Sequence, residues 1–347
     1  MTDGRPRIVG LGHAVPEQVR GNDAPIFDWL KSHPQYGNKL FEGYKERRVL
    51  ADGEDLMTVM VPAAQQAIET SGLVPDDIDL LLGCGSVSPF ATPNELGHLH
   101  QKLGLPARTW VLPLNNEFSN FNAGLLLADG LIRAGRARNV LVVNGGAWTR
   151  YVNYHTPQSI SAGDGAGAAV IGVQGGDPLA QWEIVDHCTI TQSEYFGSMF
   201  MQGDRVSSSA AGGTADAPGL WTDPYFHITE RGIEGFKEFA VKVAPTAVTT
   251  LLQRHGLSGA NAALIAHQAS AVLLEAWQQV IQPKQFVQTI TEFANMTVAN
   301  IPVTLSWSRV NAPVTTEYLV LFALGVEMHA NALLLRRCRA TDMPLAD

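Results

Sequence analysis

The sequence predicts an α/β fold of packed layers, and three observations support this prediction. Short apolar runs rich in β-branched residues recur along the 347 residues, at 8–11, 78–82, 140–143, 168–171, 263–265 and 318–322. Most of these runs lack polar–apolar alternation, which is typical of strands covered on both faces. Helical patterns lie between them, and the two halves of the chain echo each other. Strands that alternate with helices indicate layers of helices on a largely buried sheet.

Three stretches between the strands predict helices. Residues 56–70 and 272–281 carry apolar side chains at helical spacing. The stretch 121–134 (FNAGLLLADGLIRA) is apolar almost all round and therefore predicts a buried helix. Gly135 follows it directly, as expected for a helix that ends in a left-handed residue.

A short echo predicts an internal duplication. The segment IDLLLGCGS (78–86) and the segment AALIAHQAS (262–270) both run from an apolar strand into a polar turn. The boundary is expected near GVQGG at 172–176, which gives one half at 1–174 and a second half at 175–347. The stretch 202–223 is rich in Ser, Gly and Ala and predicts a surface insertion, either a plain loop or a lid.

Bulk composition excludes several classes of protein. Hydrophobic residues make up 46% and charged residues 16%, which suits a large core and argues against disorder. A net charge of -9 without a basic run argues against nucleic acid as a partner. The three cysteines are widely spaced, so neither a zinc site nor a disulfide framework is indicated. We assign no metal. No secretory pattern or membrane-length apolar run occurs, so we expect a cytoplasmic protein.

Two polar strings point to acyl-thioester chemistry through a resemblance. The string AHQAS places His267 after a strand, and FANMTVANIP (293–302) places Asn295 28 residues later. With the glycine-rich GDGAGAAV (163–170), which enters a strand and so does not fit a phosphate loop, they resemble ketoacyl-acyl-carrier-protein synthase III of the thiolase superfamily. The early string GYKERR (43–48) is similar to that family as well. The matches cover almost the whole chain in the family's order.

The resemblance implies a fold, a chemistry and partners. It implies a five-layered α-β-α-β-α thiolase fold with duplicated halves, and a homodimer. His267 and Asn295 match the family's catalytic His and Asn, which polarise a thioester carbonyl. No covalently bound cofactor is implied; the expected substrate is a thioester of coenzyme A (CoA) or of acyl carrier protein.

The chain departs from the family where the nucleophilic cysteine belongs. That position, at the start of the buried helix, falls on Phe118, within the string NNEFSN (115–120). A shift of one residue would place Ser119 there, and a serine needs a base such as His267. Glu117 beside it is either a general base with a raised pKa or a polar loop residue.

Three functions remain open at this point. In the first, Ser119 is a nucleophile and the protein is an acyltransferase of specialised metabolism, such as polyketide starter selection or ester formation. In the second, no covalent step occurs, and His267 with Asn295 promotes decarboxylation of a malonyl thioester or direct acyl transfer. In the third, the chain is a catalytically silent subunit of a heterodimeric ketosynthase.

Further residues match pocket positions of the family. Val326 matches a backbone oxyanion donor, and His329 follows it either as a pocket wall or as a catalytic residue. Phe90 resembles a pocket-gating phenylalanine, with core packing as an equal explanation. Gln268, beside His267 in the matched string, is expected to contact the substrate. Trp29 is a candidate for stacking on the adenine of CoA.

Overall fold

A computed structural model describes residues 5–34, 41–90, 92–176, 181–202, 205–206, 220–221 and 225–338. Sixteen strands are assigned within these ranges: β1 Arg7–Ala14, β2 Val19–Gly21, β3 Glu46–Arg48, β4 Leu80–Ser86, β5 Trp110–Pro113, β6 Val140–Ala147, β7 Asp164–Gly172, β8 Trp182–Thr191, β9 Met199–Gln202, β10 Arg205–Val206, β11 Leu220–Trp221, β12 Tyr225–Ile228, β13 Ala262–Ala266, β14 Gln285–Val287, β15 Tyr318–Gly325 and β16 His329–Arg337.

Ten of the strands form one sheet whose two halves have the same topology. The order is β14-β13-β15-β16-β8-β1-β7-β6-β4-β5, and β1 pairs with β8 at the centre. Read outward from that junction, β1-β7-β6-β4-β5 matches β8-β16-β15-β13-β14 strand for strand. In each half the three outer strands are parallel, and the fourth pairs antiparallel to them. The strands β4 and β13 therefore occupy equivalent positions in the two halves of the sheet, as the two echoing segments suggest.

Nine α-helices are assigned within the described ranges: α1 Asp28–Ser32, α2 Met57–Ser71, α3 Leu96–Lys102, α4 Asn120–Arg133, α5 Glu230–Gly235, α6 Ala244–Arg254, α7 Ala271–Ile281, α8 Ile290–Phe293 and α9 Asn300–Asn311. A π-helical stretch, Phe236–Val243, joins α5 to α6.

The helices complete a five-layered fold. Helices α4 and α9 share one buried cluster with strands of both half-sheets, so they form the middle layer. Helices α2 and α3 cover the outer face of the first half, and α6 and α7 cover that of the second. The α-β-α-β-α architecture expected from the resemblance is confirmed.

Glycines let the middle layer approach the sheet closely. A Cβ on Gly167, in β7, would lie 2.6 Å from the backbone carbon of Pro302 in α9. A Cβ on Gly163 would lie 2.3 Å from the carbonyl oxygen of Phe293. Both distances are far below van der Waals contact, so only glycine fits. The string GDGAGAAV thus presses the segment that carries Asn295 against the sheet.

The sequence patterns locate the elements well. Each of the six predicted strands overlaps an observed strand, and the three predicted helices match α2, α4 and α7. Gly135 has φ +66°, as a left-handed residue after α4 should. Most of the predicted insertion at 202–223 lies outside the described residues. None of the helices described is long and apolar enough to cross a membrane.

Candidate active site

Two turns of the same construction lead into the two central helices. The first turn, residues 115–120, precedes α4, and the second turn, residues 295–300, precedes α9. In the first, the Asn116 backbone N–H donates to Asn120 Oδ1 at 2.6 Å. In the second, the Met296 N–H donates to Asn300 Oδ1 at 2.9 Å. An asparagine at the same place therefore holds each turn.

Backbone strain also recurs at one position of each turn. Glu117 has φ +41° and Thr297 has φ +53°, the left-handed region that costs a non-glycine residue about 1 kcal/mol. Both are the third residue of their turn. Packing must hold these conformations, and strained residues of this kind cluster at functional sites.

In each turn, the amide nitrogen of the last asparagine contacts a thiol or imidazole side chain on, or just after, the equivalent strand. Asn120 Nδ2 donates to Cys84 Sγ at 2.8 Å, and Cys84 lies in β4. Asn300 Nδ2 lies 3.0 Å from His267 Nδ1, just after β13. The strands β4 and β13 occupy equivalent places in the sheet, and in contact with the turn asparagine Cys84 takes the part that His267 takes in the second half.

The hydrogen bonds around Asn300 assign the proton on His267. Because Asn300 Oδ1 accepts from a backbone N–H, its Nδ2 must be the donor toward His267 Nδ1. The imidazole proton therefore belongs on Nε2. Asn300 Nδ2 also donates to Asn295 Oδ1 at 2.7 Å, and the Thr297 N–H donates to the same oxygen at 2.9 Å. His267 and Asn295 are thus both left with N–H groups to offer.

His267 is held neutral and is covered by an aromatic ring. Its side chain is 2% exposed, and burial lowers its pKa to about 3, against a smaller opposing effect of a hydrogen bond to the Thr297 backbone. Phe118 stacks on the imidazole with ring centroids 4.7 Å apart and planes 12° apart. Phe118, which the resemblance matches to the nucleophile, therefore packs against the histidine.

A cavity of about 750 Å³ opens on the first turn. Its polar lining comes from Cys84, Asn115, Glu117, Asn120 and Glu327 together with several serines and threonines. Aromatic and sulfur-bearing side chains form the rest of the wall: Phe118, Trp148, Phe196, Met199, Phe200, Met201 and Phe226. From the second turn only Thr297 lines it, and His267 and Asn295 lie behind Phe118.

The cavity is electronegative. Glu117 and Glu327 both line it, and its described lining includes no lysine or arginine. Burial, and then the charge of Glu327, raises the pKa of Glu117. Burial raises the pKa of Cys84 to about 12; the Glu117 charge adds to this, and the Asn120 hydrogen bond opposes it. An anionic group would therefore enter this cavity at an electrostatic cost.

The structure separates Ser119 and Gln268 from the cavity. Ser119 is fully buried, and its Oγ has no hydrogen-bond partner among the described residues, His267 included. Gln268 is also fully buried; its Nε2 donates to the Ala266 carbonyl, and its Oε1 accepts from the Thr289 N–H. Neither side chain lines the cavity. The geometry gives Gln268 a part in holding its turn, and its contact with substrate stays a prediction.

The remaining sequence candidates divide between the cavity and other surroundings. Val326 lines the cavity. His329 lies outside it and pairs through Nδ1 with Thr191 Oγ1 at 3.0 Å. Phe90 is 64% exposed and does not line the cavity.

Trp29 lies in α1 and already carries stacked partners. His33 and His155 stack on it with ring centroids 4.5 and 4.9 Å away. These rings occupy indole surface that an adenine would need. In the described part of the chain, no group of three His, Cys, Asp or Glu side chains could hold a metal ion.

Several residues of the site were missed by sequence reasoning. These are Cys84, Asn115, Asn120, Asn300 and Glu327. A signal was present for most of them: NNEFSN (115–120) and NMTVAN (295–300) share asparagine at their first and last positions. The echo of the two strands, aligned from 78 and from 262, pairs Gly83 with His267 and so places Cys84 one residue from that position.

Comparison with known proteins identifies similar synthases. Residues 113–187, which include the first turn, match the family model of 3-oxoacyl-[acyl-carrier-protein] synthase III. The β-ketoacyl-[acyl-carrier-protein] synthase III of Cereibacter sphaeroides is 25% identical over 344 residues, covering 96% of this chain and 99% of the relative.

Solved structures extend the agreement to the fold. The 3-oxoacyl-(acyl carrier protein) synthase III of Pseudomonas aeruginosa superimposes with a TM-score of 0.78 at 21% identity, covering 96% of this chain and 99% of that one. The priming β-ketosynthase of the R1128 polyketide pathway gives 0.79 at 20%, covering 97% and 98%. The chain therefore has the fold of these two solved synthases. In sequence it is similar to 3-oxoacyl-[acyl-carrier-protein] synthase III proteins.

Proposed function

We propose that this protein transfers an acyl group from an acyl thioester, carried by CoA or by acyl carrier protein, to a second substrate. The named relatives are synthases whose names include the acyl carrier protein, which supports a thioester donor. The observation that carries the proposal is the cavity, whose wall of aromatic and methionine side chains suits an acyl chain and opens directly on the first turn.

The charge of the cavity favours an uncharged acyl group over a malonyl group. Glu117 and Glu327 would repel a malonyl carboxylate, and no lysine or arginine among the described lining residues offsets them. Of the alternatives left open by the sequence, malonyl decarboxylation is therefore the less favoured, and acyl transfer is the one we adopt.

His267 and Asn295 serve in this proposal as donors to the thioester carbonyl. Asn300 leaves an N–H on each, and a neutral imidazole donates through Nε2. Two preorganised N–H groups stabilise the negative charge that develops on the carbonyl oxygen. Phe118 must turn away from His267 before a carbonyl can reach them, because the stacked ring lies between the imidazole and the cavity.

Glu117 is the proposed general base. It lines the cavity, and its raised pKa makes its carboxylate a stronger proton acceptor than a solvent-exposed glutamate. Ser119, the alternative nucleophile, has no base within hydrogen-bonding reach among the described residues and does not line the cavity. The geometry therefore favours transfer without Ser119.

Specialised metabolism is the proposed setting. The family's housekeeping condensation needs a thiolate at the position that Phe118 occupies here. The fold is shared with a priming ketosynthase of a polyketide pathway, which supports a role in starter-unit selection or in ester or amide formation. We further propose that the protein acts as a homodimer, which sedimentation of the purified chain tests directly.

The test is thiol release from a panel of acyl- and malonyl-thioesters, on both CoA and carrier protein, with hydroxylamine as a generic acceptor. We expect release from acyl thioesters and a loss of roughly 100-fold or more in Glu117→Gln, as is typical for removal of a general base. Glu292→Gln, an exposed change on α8, is the matched control and should retain the wild-type rate.

Two results would contradict the proposal. Release from malonyl thioesters only, with CO2, would favour decarboxylation. An absence of release from every donor, with an intact fold and recovery of a cysteine-containing homologue as a partner, would favour the silent-subunit alternative.

A further inference from the structure

We propose that Cys84 is the nucleophile of this protein and carries the acyl group as a thioester, in place of the cysteine that the family has at position 118. This inference rests on the proposed acyl-transfer function and names the residue that receives the acyl group. It assigns a catalytic role to a residue of the first half-sheet that belongs to neither the matched histidine string nor the matched asparagine string.

The duplication places Cys84 in a site-like position. Asn115 and Asn120 of the first turn correspond in position to Asn295 and Asn300 of the second, and Cys84 contacts Asn120 as His267 contacts Asn300. In each set, an asparagine at the head of a central helix donates from Nδ2 to the reactive side chain, at 2.8 Å for Cys84 and 3.0 Å for His267. The first half therefore repeats the contact seen in the second half, with a thiol in place of the imidazole.

Access to substrate favours the first-half set. Cys84, Asn115, Glu117 and Asn120 all line the cavity, and the Cys84 side chain is 4% exposed. His267 and Asn295 do not line it. Cys84 thus lies in the cavity wall, while His267 and Asn295 lie behind Phe118. The other two cysteines, Cys188 and Cys338, are not among its described lining residues.

An unpartnered polar group faces the same cavity from the second turn. Thr297 lines the cavity and is 94% buried (6% exposed), and its Oγ1 has no hydrogen-bond partner among the described residues. A buried hydroxyl without a partner is unfavourable, so a bound group that accepts a hydrogen bond from it gains affinity. A thioester carbonyl is an acceptor of the required kind.

The chemistry is a thiol-for-thioester exchange with Glu117 as the base. Glu117 takes the proton of the Cys84 thiol, and the sulfur attacks the thioester carbonyl. The bond from the carbonyl carbon to the donor sulfur then breaks, and the departing thiolate takes the proton back from Glu117. No oxidant or reductant is required. A base is necessary because the pKa of about 12 leaves almost no thiolate at neutral pH.

The experiment is intact mass spectrometry of the full chain after incubation with acetyl-CoA and octanoyl-CoA, followed by tryptic mapping. Cys84 is the only cysteine in the tryptic peptide 49–102, and residues 118 and 119 fall in the separate peptide 109–133. We expect one acyl group on peptide 49–102, its removal by neutral hydroxylamine, and its loss in Cys84→Ala.

Two controls keep the result interpretable. Cys188→Ala removes a thiol outside the described cavity lining and should retain the adduct. Cys84→Ser keeps a small polar side chain at the site, so it should fold like the wild type and show an adduct that forms at least roughly 100-fold more slowly, because a serine hydroxyl is far less acidic than a thiol.

The outcomes separate this inference from the function on which it rests. An adduct on peptide 109–133, or an adduct that survives in Cys84→Ala, would overturn the role of Cys84 and leave acyl transfer standing. Thiol release without any adduct in rapidly quenched single-turnover samples would do the same in favour of direct transfer. If neither thiol release nor an adduct is observed, the proposed function is wrong and the inference fails with it.

Discussion

The two turns that lead into the central helices share a backbone and differ in what they present. Both hold their third residue at positive φ, and both use their last asparagine to bind the backbone four residues earlier. The first turn, together with Cys84 beside it, presents a carboxylate, two amides and a thiol to a cavity. The second buries an imidazole and an amide behind Phe118.

The difference shows how two halves with the same topology can place different chemical groups at equivalent positions. Because the sheet and the turns repeat, each half places polar groups at the end of the same strand and the start of the same helix. The side chains at single positions then differ between the two halves. Phe118 stacks on His267 and lines the cavity in front of it, so the first turn supplies most of the polar lining.

The largest expected change comes from reversing that substitution. Phe118→Cys removes the stacked ring and places a thiol beside His267, so we expect a new acyl adduct on tryptic peptide 109–133 after incubation with acyl-CoA. Val298→Cys, at the equivalent place in the second turn, is the matched control and should gain none. A folded Phe118→Cys protein without an adduct at that peptide would show that the second turn is no longer competent.

The two turn asparagines should differ in their effect on stability. Asn300→Ala leaves the Met296 N–H, Asn295 Oδ1 and His267 Nδ1 without this partner, all in buried residues, and should cost about 3 kcal/mol of unfolding free energy. Asn120→Ala leaves one partly buried N–H and a thiol, a weak acceptor, and should cost about 1 kcal/mol. Urea unfolding measures both; equal losses would contradict the asymmetry.

The buried imidazole predicts a pH dependence of stability. The folded pKa of His267 is about 3, below the unfolded value of 6.5, so the unfolded chain binds the extra proton between these values. Stability from this group is present above pH 6.5 and is lost as the pH falls, by up to about 1.4 kcal/mol per pH unit. His267→Gln should flatten the profile by that slope.

The matched control for the pH profile is His98→Gln, an exposed change in α3 that should leave the slope as in the wild type. His13, whose pKa burial lowers to about 4 with a smaller effect of Arg309, contributes to the same range in every variant. The comparison is therefore between variants at each pH. Parallel profiles for wild type and His267→Gln would contradict a neutral buried imidazole.

The smallest effect is expected at Ser119. Its hydroxyl is buried without a partner, so Ser119→Ala should leave thiol release within roughly two-fold of the wild type and should be neutral or slightly stabilising. Thr297→Val, which removes the unpartnered hydroxyl of the cavity, provides the contrast and should weaken acyl-thioester binding. A loss of 100-fold or more in Ser119→Ala would restore Ser119 as the nucleophile.

Local pattern was enough to predict most of the fold. The buried strands and the helices α2, α4 and α7 follow from apolar runs and helical spacing, because those signals lie within one element. The strand β16 was not predicted, since polar residues such as His329 and Asn331 interrupt its apolar run. The layer order came from the resemblance.

The candidate site was less predictable because it depends on contacts between distant segments. His267 and Asn295 were identified from their strings, yet Asn300, which orients both, was missed although it lies in the same string. That Phe118 covers His267, and that Cys84 lines the cavity, depends on side-chain packing between segments far apart in sequence. Sequence pattern alone does not show which distant segments come into contact.

The proposed function requires an acyl thioester to bind against the first turn. A crystal structure of the Cys84→Ala protein soaked with a non-hydrolysable octanoyl-CoA analogue tests it most directly. We expect the acyl chain between Phe200 and Met201, with the carbonyl near residue 84 and the Thr297 hydroxyl. An acyl chain bound outside this cavity, with its carbonyl far from residue 84, would contradict the proposed site.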